Sequence, residues 1–169
     1  IALASNMTSL TVPASVVSIN MPYTSNLDTL VFLGDTPPEM DLTSYGYNSI
    51  KNYYVPASGE LAYFAQLYEV LAGTSNNLYI TENDGTTRPC ALHAKNGVIL
   101  SDDEKTLLAV LPTVKGTCVL PNTVETIASG AMDAARNVTS LVIPASVKTI
   151  EENALNGESL TSITFTGAT

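Results

Sequence analysis

The chain has 169 residues and a mass of 17.8 kDa, which is room for one compact domain or one stretch of a repeat array. Seven Lys and Arg stand against sixteen Asp and Glu, giving a net charge of −9; this excludes a phosphate-tracking nucleic-acid surface, which needs clustered basic side chains. Hydrophobic residues at 45% exclude a disordered tail, no window holds the roughly 18 apolar residues of a membrane helix, and with only 14% charged residues much of the polarity falls to Ser, Thr and Asn.

In chain order, Ile1 to Ala4 is too short for a signal-peptide core and no initiator Met precedes it, so the chain reads as a processed protein or an excised fragment. Thr8-Ser-Leu-Thr-Val-Pro-Ala-Ser-Val-Val-Ser-Ile19 then opens a pattern. Apolar and hydroxyl residues alternate over Leu10 to Val12, as in a half-buried strand. Pro13 follows and ends the pairing because it has no N–H to donate. Val16 and Ile19 supply a second pair of apolar anchors. Degenerate copies run from Leu27 to Phe32 and from Ile50 to Pro56. Glu60 to Leu71 is expected to be a helix with Leu61, Phe64, Ala65, Tyr68 and Leu71 on its apolar stripe and Gly73 at its end.

Leu78 to Thr81 reads as a strand and Asn83-Asp84-Gly85 as a turn. A hairpin is expected around Asp102 to Lys105. The pattern then returns in Thr117-Cys-Val-Leu-Pro-Asn-Thr-Val-Glu-Thr-Ile127, in Thr139-Ser-Leu-Val-Ile-Pro-Ala-Ser-Val-Lys-Thr-Ile150 and in Leu160-Thr-Ser-Ile-Thr-Phe165. From Pro121 to Pro144 is 23 residues, and the other anchor spacings are 20 to 23. Irregular or partly helical returns over 128–137 and 151–157 close each coil. One such coil cannot bury its own apolar edge, but stacked coils make a continuous core. The fold expected is a β-rich repeat solenoid of right-handed stacked coils.

The run Leu-Thr-Ser-Leu-x-Ile-Pro-x-Ser-Val-x-x-Ile resembles the BspA-like class of leucine-rich repeats, found in surface proteins of gut and oral bacteria and some protozoan parasites. Phe32 to Pro38 resembles that family's penultimate turn, Tyr54 to Tyr63 the helix-entering segment that ends an array, and Asn96 to Leu108 the hairpin that opens a fresh block. Ala131-Met132 and Ala154-Leu155 replace the usual Ala-Phe pair, and Asn137 and Glu158 the usual cysteine. The expected organisation is residues 1–73 as one leucine-rich repeat block closing with a short helix. Residues 74–169 are expected to form a hairpin plus a second block packed on the first, with the last unit cut or capped by something else. The resemblance implies an extracellular or cell-surface protein that adheres to a host or neighbouring-cell protein or glycan, with no membrane insertion within this segment.

The catalytic inventory is sparse. Cys90-Ala-Leu-His93 has a ligand-like spacing, yet zinc needs about four ligands, and Cys118 is the only other thiol. Cys118 occupies the register of Leu10 and Leu141 and reads as a buried small hydrophobe; a Cys90–Cys118 bridge is the alternative. His93 is the sole imidazole and reads as a turn or hairpin residue. Asp102-Asp103-Glu104 reads as a solvated turn and Glu151-Glu152 as a helix start. Glu82 to Gly85 lacks the downstream glutamate of a calcium loop. No catalytic residue, metal or cofactor is assigned, and the chain reads as a non-enzyme.

What remains is the strand face turned away from the core: Ser9, Thr11, Thr29, Val31, Asn52, Tyr54, Thr117, Val119, Ser140, Val142, Ser162 and Thr164. Repeat solenoids commonly use such a ladder as an elongated docking surface. Tyr45, Tyr47, Tyr53 and Tyr54 cluster near the end of the first block, with Tyr53 assigned to the core by its register. A spacer or stalk carrying another domain is the alternative function, and an enzyme using His93 the least favoured.

Overall fold

The computed structural model describes residues 6–20, 26–42, 47, 49–72 and 76–167. The expectations for Gly73 and Tyr45 lie outside these residues. Two compact units follow one another along the chain, Ile1–Cys90 and Ala91–Thr169. Each is a stack of repeat coils whose strands pair in parallel and in register, so the fold is a β-rich repeat solenoid.

In the first unit, β1 (Ser9–Val12), β3 (Thr29–Phe32), β5 (Asn52–Pro56) and β6 (Asn77–Thr81) run parallel in one sheet, and β7 (Thr87–Pro89) closes it antiparallel to β6. Ser9 pairs with Thr29, Thr29 with Asn52 and Asn52 with Asn77, so every coil contributes one strand in register. The second pair of anchors also forms a sheet: β2 (Ser18–Ile19) pairs in parallel with β4 (Glu39–Met40). Strand β6, which the sequence reading set in its second block, extends the sheet of the first unit.

The prolines work by a shared turn. The N–H of Val16 donates to the carbonyl of Pro13, that of Val124 to Pro121 and that of Val147 to Pro144, each at 3.1 Å. Pro56 departs from the expectation, because β5 runs through it and it lies in register with Thr81. The last residue of a strand tolerates a missing N–H, and the turn starts one residue later, with a 3-10 segment over Ala57–Gly59. Gly59 is required there, since a Cβ at this position would lie 2.6 Å from the carbonyl oxygen of Asp35.

Helix α1 (Glu60–Ala72) takes the place of a second strand in its coil. Its buried side overlaps the predicted stripe only in part. Tyr63 and Leu67 are the fully enclosed residues, Phe64, Val70 and Leu71 pack partly, and Leu61 is 36% exposed. Polar reach sets this phase: the Tyr63 hydroxyl donates to the carbonyls of Gly34 at 3.0 Å and Thr36 at 3.3 Å, and its ring lies 4.9 Å from that of Phe32. The Gln66 amide donates to the Pro38 carbonyl at 2.8 Å on the same side. Periodicity alone sees Tyr63 as one more aromatic between two stripes.

In the second unit a hairpin comes first. β8 (His93–Lys95), β9 (Val98–Leu100) and β10 (Thr106–Val110) are antiparallel, and β10 then pairs in parallel with β12 (Thr126–Ile127), which pairs with β14 (Thr149–Ile150). The other sheet is parallel: β11 (Gly116–Val119), β13 (Val138–Ile143) and β15 (Ser162–Phe165). Gly97 makes the first hairpin turn possible, with φ at +78° and the Cγ2 of Val114 only 2.3 Å from where a Cβ would stand. The returns over 128–137 and 151–157 are turns, and Glu151 and Glu152 do not start a helix as expected; the Glu151 carboxylate instead accepts from the Ser129 N–H of the preceding coil at 2.9 Å.

Candidate docking face

Alternation along each strand decides which side chains meet solvent. Leu30, Tyr53 and Leu78 are buried in register behind one row, and Phe32, Val55 and Ile80 behind the next. The outer side chains of the first unit therefore stand in two ladders. One reads Ser9, Thr29, Asn52 and Asn77, and the other Thr11, Val31, Tyr54 and Tyr79. The second unit repeats this with Thr117, Ser140 and Ser162, and with Val119, Val142 and Thr164. All twelve residues named from sequence are exposed or half-buried, and Val119 is 63% exposed. They fall into two separate faces, one per unit.

Sequence reasoning missed Asn77 and Tyr79. Both belong to these ladders, but helix α1 and a break in the rhythm separate them from β5. The signal was present, since Leu78-x-Ile80 alternates as Tyr53-x-Val55 does. The rings of Tyr54 and Tyr79 stack with centroids 4.9 Å apart and planes 18° from parallel. The Asn77 amide donates to the Asn52 carbonyl oxygen at 3.2 Å. Among the described residues these outer rows, with Thr81, Thr87 and Pro89 beyond them, hold no Asp, Glu, Lys, Arg or His.

Charge is kept off this face, and part of it is paired elsewhere. Arg88 donates to Glu60 and Glu82, each at 2.7 Å, and these bonds raise its pKa further. Glu125 sits between Lys105 and Lys148 on successive coils, and the two ammonium groups hold its carboxyl below the usual range. In the turn before β10, the Asp103 carboxylate accepts from the Ser101 hydroxyl at 2.7 Å and the Lys105 N–H at 3.1 Å, which lowers its pKa. Asp84 does the same for the N–H and hydroxyl of Thr86, making 83–85 the expected turn.

His93 lies exposed on β8, its Nε2 3.6 Å from the Asp102 carboxylate. Cys118 is buried at 3% exposure, and burial raises the pKa of its thiol; Cys90 packs against the core of the first unit. Neither cysteine is bridged, and among the described residues no three His, Cys, Asp or Glu side chains gather into a metal-binding group. No helix is long and apolar enough to cross a membrane among these residues.

Comparison with known proteins agrees with the repeat geometry. Residues 116–169 match the family described as BspA type leucine rich repeat region (6 copies). No curated protein matches the chain. Among solved structures it is similar to a leucine-rich repeat protein from Eubacterium ventriosum ATCC 27560, with 16% identity and a TM-score of 0.34 over 95% of this chain and 54% of that one. The chain thus spans about half the length of that protein. On register, coil length and repeat motif together, this is a leucine-rich repeat solenoid that carries BspA-type repeats over residues 116–169.

Proposed function

We propose that the chain is a non-enzymatic interaction module, displayed on a cell surface or secreted, that binds a protein or glycan of a host or neighbouring cell through its outer strand ladders. The observation that carries this is the uncharged outer face on a chain of net charge −9. The charged side chains stand away from the ladders, some of them in pairs such as Arg88–Glu60 and Glu125–Lys148. What the ladders offer is hydroxyls, amides, β-branched methyls and tyrosines, which recognise by shape and hydrogen bonding rather than by charge. The match of residues 116–169 to the BspA type leucine rich repeat region, with the surface setting that the sequence resemblance implies, supports the extracellular reading.

The test is binding of the whole chain to arrays of matrix proteins and glycans, with Thr11→Arg and Val119→Arg on the two faces and Glu152→Lys on an exposed return as the control. Loss of binding in a ladder variant with retention in the control is expected. Silence across both arrays, or equal loss in all three variants, removes the proposal.

A further inference from the structure

Two strand edges of this fold are bare, and they match each other. Among the described residues β1 pairs only with β3 and β15 only with β13, so β1 is open toward a preceding coil and β15 toward a following one. An open edge is a template for another strand, and proteins commonly blunt it with charge or proline. The edge strand β7 does so with Arg88 and Pro89, and the edge strand β8 with His93 and Lys95. β1 and β15 hold neither device, and residues 1–27 and 159–169 contain no charged side chain at all.

Both edges leave apolar surface uncovered. Ile163 is 41% and Phe165 59% exposed on β15. On β1, Leu10 is only half-buried, whereas its partner Leu30 is fully enclosed. Beside β1 lies an apolar cleft of about 370 Å³, lined by Leu10, Val12, Pro13, Val16 and Ile19, with room for a phenyl ring. β11 is also open on its preceding side, but Cys118 and Leu120 are already buried there, so it has less to gain from a partner.

The coil that carries β1 is built like one that stacks on a predecessor. Residues 8–19 share Thr, Ser, Leu, Pro, Ala, Ser, Val and Ile in register with 139–150, and Pro13 and Pro144 accept from Val16 and Val147 at the same 3.1 Å. The coil of 139–150 lies on that of 117–127, with Ser140 on Thr117, Leu141 on Cys118 and Val142 on Val119. Its Pro144 has no N–H to give across that joint, so Pro13 is no obstacle to the same arrangement.

We infer that a second copy of this chain covers the edge, with β15 of one copy pairing in parallel with β1 of the next. Ser162 then meets Ser9, Ile163 meets Leu10, Thr164 meets Thr11, and Phe165 meets Val12 with its ring in the apolar cleft. This continues the register that joins β13 to β15 within one chain. The contact is head to tail, so each copy keeps one free end and the assembly can grow. It goes beyond the docking reading above: the joint uses strand edges and not the outer ladders, and silent binding arrays leave it standing.

The test is sedimentation equilibrium of the 169-residue chain over rising concentration, where the average mass should pass twice the 17.8 kDa of one copy. Phe165→Asp closes one end and Leu10→Asp the other, and each variant alone should stay monomeric. Mixed in equal amounts they should form one-to-one dimers and stop, because the first retains a free β1 and the second a free β15. Val16→Asp replaces Leu10→Asp if the latter does not melt cooperatively. A wild-type chain that stays monomeric, a single variant that assembles as the wild type does, or a mixture that stays monomeric or grows past dimers overturns the inference.

Discussion

Leu141 and Ile163 face each other in register across the parallel strands β13 and β15, yet Leu141 is fully buried and Ile163 is 41% exposed. The same holds one step along, where Ile143 is buried and its partner Phe165 is 59% exposed. Equivalent positions of a repeat are thus unequal in energy, because β13 has a strand on both sides and β15 on one.

Leu141→Ala should therefore cost roughly 2–5 kcal/mol through lost transfer energy and the cavity left behind. Ile163→Ala should cost about 1 kcal/mol or less, as much of its side chain already meets water. Urea unfolding of the two variants measures both, and equal losses would contradict the stacking.

Two buried tyrosines should respond oppositely to loss of their hydroxyls. The Tyr63 hydroxyl reaches Gly34 and Thr36, so Tyr63→Phe leaves those carbonyls short of a donor and should destabilise by about 1 kcal/mol. The Tyr53 hydroxyl is buried and has no partner among the described residues, so Tyr53→Phe should be neutral or stabilising. Thermal melts of the pair decide it.

Alkaline pH should unfold the first unit's core. Burial, reinforced by Asp41 near Tyr47 and Asp35 near Tyr63, pushes both phenols from 10.0 up to about 12; burial, with Tyr47 beside it, raises Tyr53 further. The folded state holds these protons more tightly than the unfolded state. Their contribution is therefore complete below pH 10.0 and declines as pH rises from there toward about 12. Denaturant midpoints should fall across that window, and phenolate absorbance from these residues should appear together with loss of structure. A flat midpoint there would refute the assignment.

The Lys105–Glu125–Lys148 bridge links three successive strands of one sheet, β10, β12 and β14, from the residue before each. Because its pKa is lowered, Glu125 stabilises above its ordinary carboxyl range, and this is lost as pH falls through the depressed folded value. Glu125→Gln should lower the melting temperature slightly at low salt and not at high salt, since exposed pairs are screened. A salt-independent effect would point to something other than charge.

Much of this architecture was legible from local chemistry. Alternation at Leu10 to Val12 and at Ile163 to Phe165, with prolines after Val12, Leu120 and Ile143, dictated strand, turn and coil length, because strand period and proline geometry act within a few residues. The outward row of hydroxyls followed from the same parity. Tertiary structure decided the rest. It rotated α1 so that Tyr63 reaches two carbonyls on the coil before it, and it joined β6 to β5 across the helix. Those choices depend on partners 25 to 29 residues away, and they set Tyr79 against Tyr54. A pattern of period two fixes which way a side chain points, but only the packed coils determine what it meets.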